Sequence, residues 1–267
     1  MVRQLNTATW HYGVVARWWA EFVQGGSEGD YFRAWIEQYG QPVLDVGCGT
    51  GRLLLPYLRA GLDVDGADVS EDMLALCRTA AQREGLQPRL YRQAFHELEV
   101  PRRYRTIYLC GAFGIGGERA QDEEGLRRVL AHLEPGGAVV IDLHLPWDDA
   151  SFWQYWLPEQ RAKLPEPVPE PYEPRVASDG SALRLRGRVL SFDPLDPSVM
   201  REMIAESFRD GALESSEVLH LRENVYFPNE LALLLERVGF RNVTVKNDHP
   251  TSDIDRDGCI FTIIGER

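Results

Sequence analysis

Between Thr9 and Tyr39 apolar and aromatic residues return at helical spacing, first as Val14, Val15, Trp18, Trp19 and Phe22, then as Phe32, Trp35, Ile36 and Tyr39. Gly25, Gly26 and Gly29 break the run, so the pattern predicts two helices. From Pro42 onward short apolar runs alternate with amphipathic ones: strand Pro42–Val46, helix Arg52–Arg59, strand Asp63–Ala67, helix Glu71–Glu84, strands Arg89–Gln93 and Thr106–Cys110, and helix Gln121–Leu133. A turn at Pro135, Gly136 and Gly137 then leads into Ala138–Leu143, an apolar run containing one acid, as expected of a buried central strand. Alternation of strand and helix implies a parallel sheet, here of five strands.

The pattern changes again at Glu159–Arg175, where Pro165, Pro167, Pro169, Pro171 and Pro174, with Pro158 just before, argue against regular helix or strand and predict a stiff link. Three stretches of period-two alternation follow, Ala182–Phe192, Val199–Phe208 and Glu217–Phe227, and predict an antiparallel meander. The chain then returns to one helix, Asn229–Val238, stopped at Gly239, and two strands, Asn242–Asn247 and Gly258–Gly265. The expected fold is α/β: a Rossmann-like seven-stranded sheet carrying an inserted β-meander. Residues 1–40 would form amino-terminal helices covering the site, 41–147 and 228–267 the α/β domain, and 148–227 the insertion.

Composition narrows the function classes. At 267 residues, 44% apolar and 26% charged, the chain has the makeup of a globular protein with one main core. A net charge of −12 disfavours nucleic acid, which is bound by neutralising phosphates. Cys48, Cys77, Cys110 and Cys259 form no CxxC pair, so reduced thiols are expected rather than a zinc site or a disulfide framework. The opening MVRQLNTATWHYG lacks a signal-peptide pattern and no apolar stretch reaches membrane-spanning length, so the expectation is a cytoplasmic protein without a membrane partner.

The chemistry-bearing motif is VLDVGCGTGRLLLPYL at Val43–Leu58, an apolar strand running into Gly47, Gly49 and Gly51 and then a helix. Residues without Cβ permit a tight turn and close approach of a ligand at the carboxyl end of the first strand. A carboxylate can sit near the helix amino terminus, and Asp45 can accept hydrogen bonds from an ammonium group or from turn amides. Together these describe an amino-acid moiety. Asp68 ends the second strand, seventeen positions beyond Gly51, where a carboxylate can take both hydroxyls of a ribose; Ser70 can cap the next helix, with Glu71 and Asp72 in its first turn.

Through DVGCGTG, GADVSEDML and LEPGGAVVIDL the sequence resembles the class I S-adenosylmethionine-dependent methyltransferases, over Val43–Leu143 and again over Asn229–Gly265. The resemblance implies S-adenosylmethionine as cofactor. The turn of Gly47, Cys48, Gly49 and Gly51 with Asp45 would hold the methionine moiety, Asp68 the ribose, and the neighbourhood of Met73 the adenine, with Val69 and Cys110 completing the cofactor-binding set. Where many members have an acid contacting the adenine amino group, this chain reads YRQAFHEL, so Gln93 or the backbone at Ala94 would substitute. The layout resembles a branch of small-molecule N- and O-methyltransferases with an antiparallel insertion after the fifth strand, serving as lid or homodimer contact.

Plainer readings stand beside these. A glycine-rich turn also occurs in nicotinamide-binding proteins, but their GxGxxG admits a pyrophosphate, whereas here the third glycine comes one residue earlier. A non-catalytic binding or assembly protein could keep the same pocket. Asp68 could merely cap a turn, and Tyr12 could either cover the methionine end of the cofactor or pack in a core, as Trp18 and Trp19 would. His144, directly after the fifth strand, is the candidate general base, ahead of His96 and His220. Phe113, Trp147, Phe152, Trp153, Tyr155 and Trp156 could line an apolar acceptor pocket. Methyl transfer from a sulfonium mainly needs alignment and exclusion of water, so no metal is required.

Overall fold

A computed structural model describes residues 2–4 (backbone), 9–23, 25–146, 153–247 and 260–267. The chain divides into two compact units: residues up to 24, 114–118 and 149–225 form one, and 25–113, 119–148 and 226–267 the other. The second unit carries the motif of the glycine turn.

Its sheet contains β2 (Val43–Val46), β3 (Val64–Asp68), β4 (Arg89–Arg92), β5 (Tyr104–Leu109), β6 (Leu133–His144), β11 (Arg241–Lys246) and β12 (Ile260–Glu266) in the order β11-β12-β6-β5-β2-β3-β4. The first five strands in sequence are mutually parallel, as the alternation predicts; β12 lies antiparallel to both β6 and β11. One physical difference concerns β6. The Pro135–Gly137 turn expected ahead of it lies inside the strand span, at an irregularity between Leu133 and Ala138 in the pairing with β5.

The two faces of this sheet support separate cores. Leu44, Val46, Ile107, Leu109, Val139 and Ile141 pack on one face against α5 (Arg119–His132) and α7 (Pro228–Val238). On the other face Val43, Val64, Tyr108 and Val140 meet Phe32, Trp35 and Ile36 of α2 (Glu28–Tyr39) and Leu54, Leu55 and Tyr57 of α3 (Leu54–Arg59). Full burial of Phe32 or Ile36 contributes about 1.5–3 kcal/mol each by area. The remaining helix, α4 (Glu71–Arg83), buries Met73, Leu74, Cys77 and Ala81. Helix α7 stops at Gly239, whose φ of 117° is left-handed.

The other unit is built on β7 (Arg175–Val176), β8 (Ala182–Asp193), β9 (Ser198–Arg209) and β10 (Ala212–Asn224), all antiparallel, with β1 (Val2–Gln4) added in parallel to β10. The meander is therefore present, but the β1 pairing has no periodic signal in three residues. Helix α1 (Gly13–Phe22) lays Val14 and Val15 on Leu183, Ala205 and Leu219, whereas α2 belongs to the other unit; the two helices that the pattern groups before residue 40 serve different cores.

Alternation puts Arg184, Arg186 and Arg188 on the opposite face of β8, and each donates to a carbonyl of the proline-dense segment: Arg188 to Glu166 at 3.1 Å, Arg186 to Pro169 at 3.0 Å, Arg184 to Tyr172 at 2.8 Å. Acceptors three residues apart match the turn of a polyproline helix, which leaves its carbonyls free for outside donors. The segment is not wholly irregular, since Pro158–Arg161 makes one helical turn, α6, with proline in its first turn. Among the described residues no helix is long and apolar enough to cross a membrane, and no cluster of three metal-ligating side chains occurs.

Candidate functional site

The fully buried strand β2 delivers the chain into a run of turns at residues 47–53. Regular helix begins only at Leu54, two residues later than the sequence predicts, and lasts six residues. Two of the three glycines do different work. A Cβ on Gly51 would stand 2.7 Å from Cys77 Sγ and 2.8 Å from Leu55 Cγ, so that position is closed by packing. At Gly49, with φ of 53°, a Cβ would meet nothing nearer than the Gly47 carbonyl at 4.0 Å. Gly49 is thus the place where the turn offers bare backbone to open space.

The Gly49 N–H donates to Asp68 Oδ2 at 2.9 Å, and the Ser70 N–H donates to Asp68 Oδ1 at 2.8 Å. One carboxylate therefore ties the turn after β2 to the turn after β3. Burial raises the Asp68 pKa, opposed by the amides of Ser70, Gly49 and Val69. A carboxylate oxygen accepts more than one hydrogen bond, so both retain capacity for a ligand's hydroxyls. Ser70 Oγ accepts from Met73 N at 3.2 Å, the cap expected from sequence, and places Met73, itself buried, at the mouth of α4.

Gln93 behaves differently from its expected part. Its amide is engaged at both ends by the Glu99 backbone, donating to the carbonyl at 2.7 Å and accepting from the N–H at 2.8 Å, while its own N–H bonds Asp68 O at 3.0 Å. The side chain braces the loop, and at Ala94, the other substitute for an acidic adenine contact, the carbonyl accepts the Glu97 N–H at 3.0 Å.

Beneath the turn, Asp45 is buried on the face of β2 that also carries Val43, directly opposite Tyr108 in the parallel pairing with β5. Burial pushes its carboxyl up to about 7; Tyr108 lowers it and Asp68 raises it further. Cys110, half-buried at the end of β5, donates to Asp142 Oδ2 at 3.5 Å and receives an Arg52 N–H at the same distance, and burial raises its thiol. Asp142 also accepts the Gly111 N–H at 2.5 Å, and Arg52 forms an ion pair with Glu28 of α2.

This strand-end cluster of Arg52, Cys110 and Asp142 was only half visible in sequence. Asp142 is the lone acid in the apolar run of β6 and could have been singled out; Arg52 and Tyr108 carry no local signal. Among the groups described here the carboxylates Asp45, Asp68, Asp142 and Glu28 outnumber the one guanidinium, a balance suited to a cationic ligand.

His144 is the exposed last residue of β6, opposite Ile260. Tyr12 belongs to the meander unit, packed with Trp10 and Trp19 around Val14 and Val15. The aromatic set does not form one cluster: Phe113 lies in a core of the sheet unit beside Phe95 and Tyr226, Tyr155 and Trp156 pack around Phe192 and Val199, and Trp153 is exposed. Trp147 and Phe152 lie outside the described residues.

Residues 43–137 match the family model described as a methyltransferase domain. The chain is 39% identical over 88 residues to the ubiquinone biosynthesis O-methyltransferase of Acinetobacter baumannii, covering 30% of this chain and 37% of that protein. It is 31% identical over 119 residues to the dTDP-3-amino-3,6-dideoxy-alpha-D-glucopyranose N,N-dimethyltransferase of Streptomyces fradiae, covering 44% and 40% respectively. The chain spans about half, or less, of the length of the curated relatives it matches. By fold it is similar to the sugar N-methyltransferase KedS8 of Streptoalloteichus, with a TM-score of 0.66 and 17% identity over 90% of this chain and 87% of that one.

Proposed function

We propose that the chain is a class I S-adenosylmethionine-dependent methyltransferase and transfers a methyl group from that donor to the nitrogen or oxygen of a small molecule. The observation that carries the reading is the Gly49–Asp68 pairing: open backbone on one side, and a half-buried carboxylate held toward it on the other. The residues fit the donor. Asp45, whose nearest influences are a phenol and a second carboxylate, suits the ammonium group; Asp68 suits the ribose hydroxyls; Val69, Met73 and the backbone at Ala94 suit the adenine, and Cys48 and Cys110 flank the methionine end.

When bound, the donor supplies a methyl group on a sulfonium whose leaving group is a neutral thioether. The chain's own part is alignment and desolvation, which account for most of the rate in such a displacement. Tyr108, Phe32 and Tyr57 pack together on the sheet face that carries Asp45, which is itself buried. An amine acceptor needs only to lose a proton before attack, whereas for a hydroxyl acceptor His144, exposed at the strand end, is the proposed base. The segments outside the matched domain, residues 1–40 with Tyr12 and the 148–227 insertion, are assigned acceptor choice, with homodimerisation through the insertion as part of the same proposal.

Calorimetric titration with S-adenosylhomocysteine tests the site. Asp68→Ala is expected to weaken binding by about 1–3 kcal/mol, the cost of removing hydrogen bonds to a buried partner. Asp68→Asn, which keeps one acceptor for the Gly49 amide, separates loss of the turn from loss of the ribose contact. Undiminished affinity in both would remove the assignment, and tritiated donor with a metabolite extract would show whether turnover accompanies binding.

A further inference from the structure

Tyr108 is a large polar side chain in the floor beneath the glycine turn. It is wholly buried, edged by Phe32 with ring centroids 5.1 Å apart and by Tyr57 at 6.1 Å, and its hydroxyl has no hydrogen-bond partner of proper geometry. An orphaned buried hydroxyl costs about 1–3 kcal/mol, so its retention calls for a state in which it is satisfied. The parallel pairing supplies the partner: Tyr108 stands in register with Asp45, one strand away and on the same face, close enough to bear on the carboxyl's acidity without completing the bond.

We propose that Tyr108 is a positioning residue for the donor, its phenol donating to the Asp45 carboxylate while that carboxylate holds the donor's ammonium group. This rests on the donor site argued above and adds a residue to it. Two donors, phenol and ammonium, satisfy the buried anion from two sides; without the cation the carboxyl takes up a proton and the phenol is left over. The titratable groups facing Asp45 are Asp68 from β3, Cys48 from the turn, Tyr57 from α3, Cys77 from α4, and Tyr108 and Cys110 from β5. Burial keeps the thiols and phenols protonated and raises the Asp68 carboxyl as well, opposed there by the amides of Ser70, Gly49 and Val69. Binding should therefore be coupled to release of a proton from Asp45, with Tyr108 setting the pH at which this occurs.

The test is the affinity for S-adenosylhomocysteine of wild type and Tyr108→Phe, titrated from pH 5.5 to 8. The substitution conserves volume and deletes a hydroxyl without a partner, so the unliganded variant should melt at or above the wild-type temperature. If the phenol favours the ionised carboxylate by about one pKa unit, the variant's dissociation constant should exceed wild type by about tenfold at pH 6 and by under about threefold at pH 8. In an Asp45→Asn background the same change should have no pH-dependent effect. A ratio constant across pH, or no change at any pH, overturns the role of Tyr108 while leaving the donor site standing. Wild-type protein that fails to bind at every pH would instead overturn the donor site, and this inference with it.

Discussion

Asp45 is where burial and charge conflict most openly. Its carboxyl is pushed up to about 7 by burial in the folded protein, against an ordinary carboxylate value near 4 in the unfolded chain. Between those values the folded state holds a proton that the unfolded state has lost, so the stability of the unliganded protein should fall as pH rises from about 4 to about 7 and level off above. Melting temperatures across that range check the sign, and Asp45→Asn should flatten this component. Stability that instead climbs through the window, with the climb unchanged in the variant, would mean that the carboxyl is ionised when free. At this scale the sequence pointed to the glycines and aspartates around the turn, because these residues carry their chemistry in their identity. It did not show Tyr108, whose role comes from being level with Asp45 on the next strand, nor that Gln93 turns its amide to Glu99.

At the level of elements the pattern of apolar positions located the parallel strands, the helices between them and the long meander strands, because each buries one face and the periods of 2 and 3.6 residues record it. The proline-dense segment buries little and so left only a negative signal. Its order comes from β8, whose alternate arginines reach carbonyls at every third residue of the segment. Arg184 also pairs with Glu206 at 2.8 Å, both largely buried. Arg184→Ala should cost about 1–3 kcal/mol, since it removes the nearer of two guanidinium partners of the buried Glu206 carboxylate and leaves Arg186 at 3.4 Å. Limited proteolysis should then cut more readily near Tyr172; a cleavage pattern identical to wild type would show that the arginine ladder does not hold the segment.

For the molecule as a whole, a ligand that binds only the folded state raises its stability by mass action. At a hundred times its dissociation constant S-adenosylhomocysteine should add about 2.7 kcal/mol, a melting shift of roughly 5–10 °C for a chain of this size. A thermal shift assay comparing it with a reduced nicotinamide dinucleotide separates the proposed donor site from the plainer reading of the glycine turn; a shift with the dinucleotide alone would reverse the assignment. The sequence by itself determined the sheet, the meander and the glycine turn, because hydrophobic period and the steric freedom of glycine are local properties. Tertiary structure alone decided that α1 and α2 serve different cores, that β1 joins the meander, and that Arg52, Cys110 and Asp142 meet at the strand ends. These depend on residues far apart in the chain coming level across a sheet, and strand register, which brings them there, is set by packing of the whole fold rather than by any one segment.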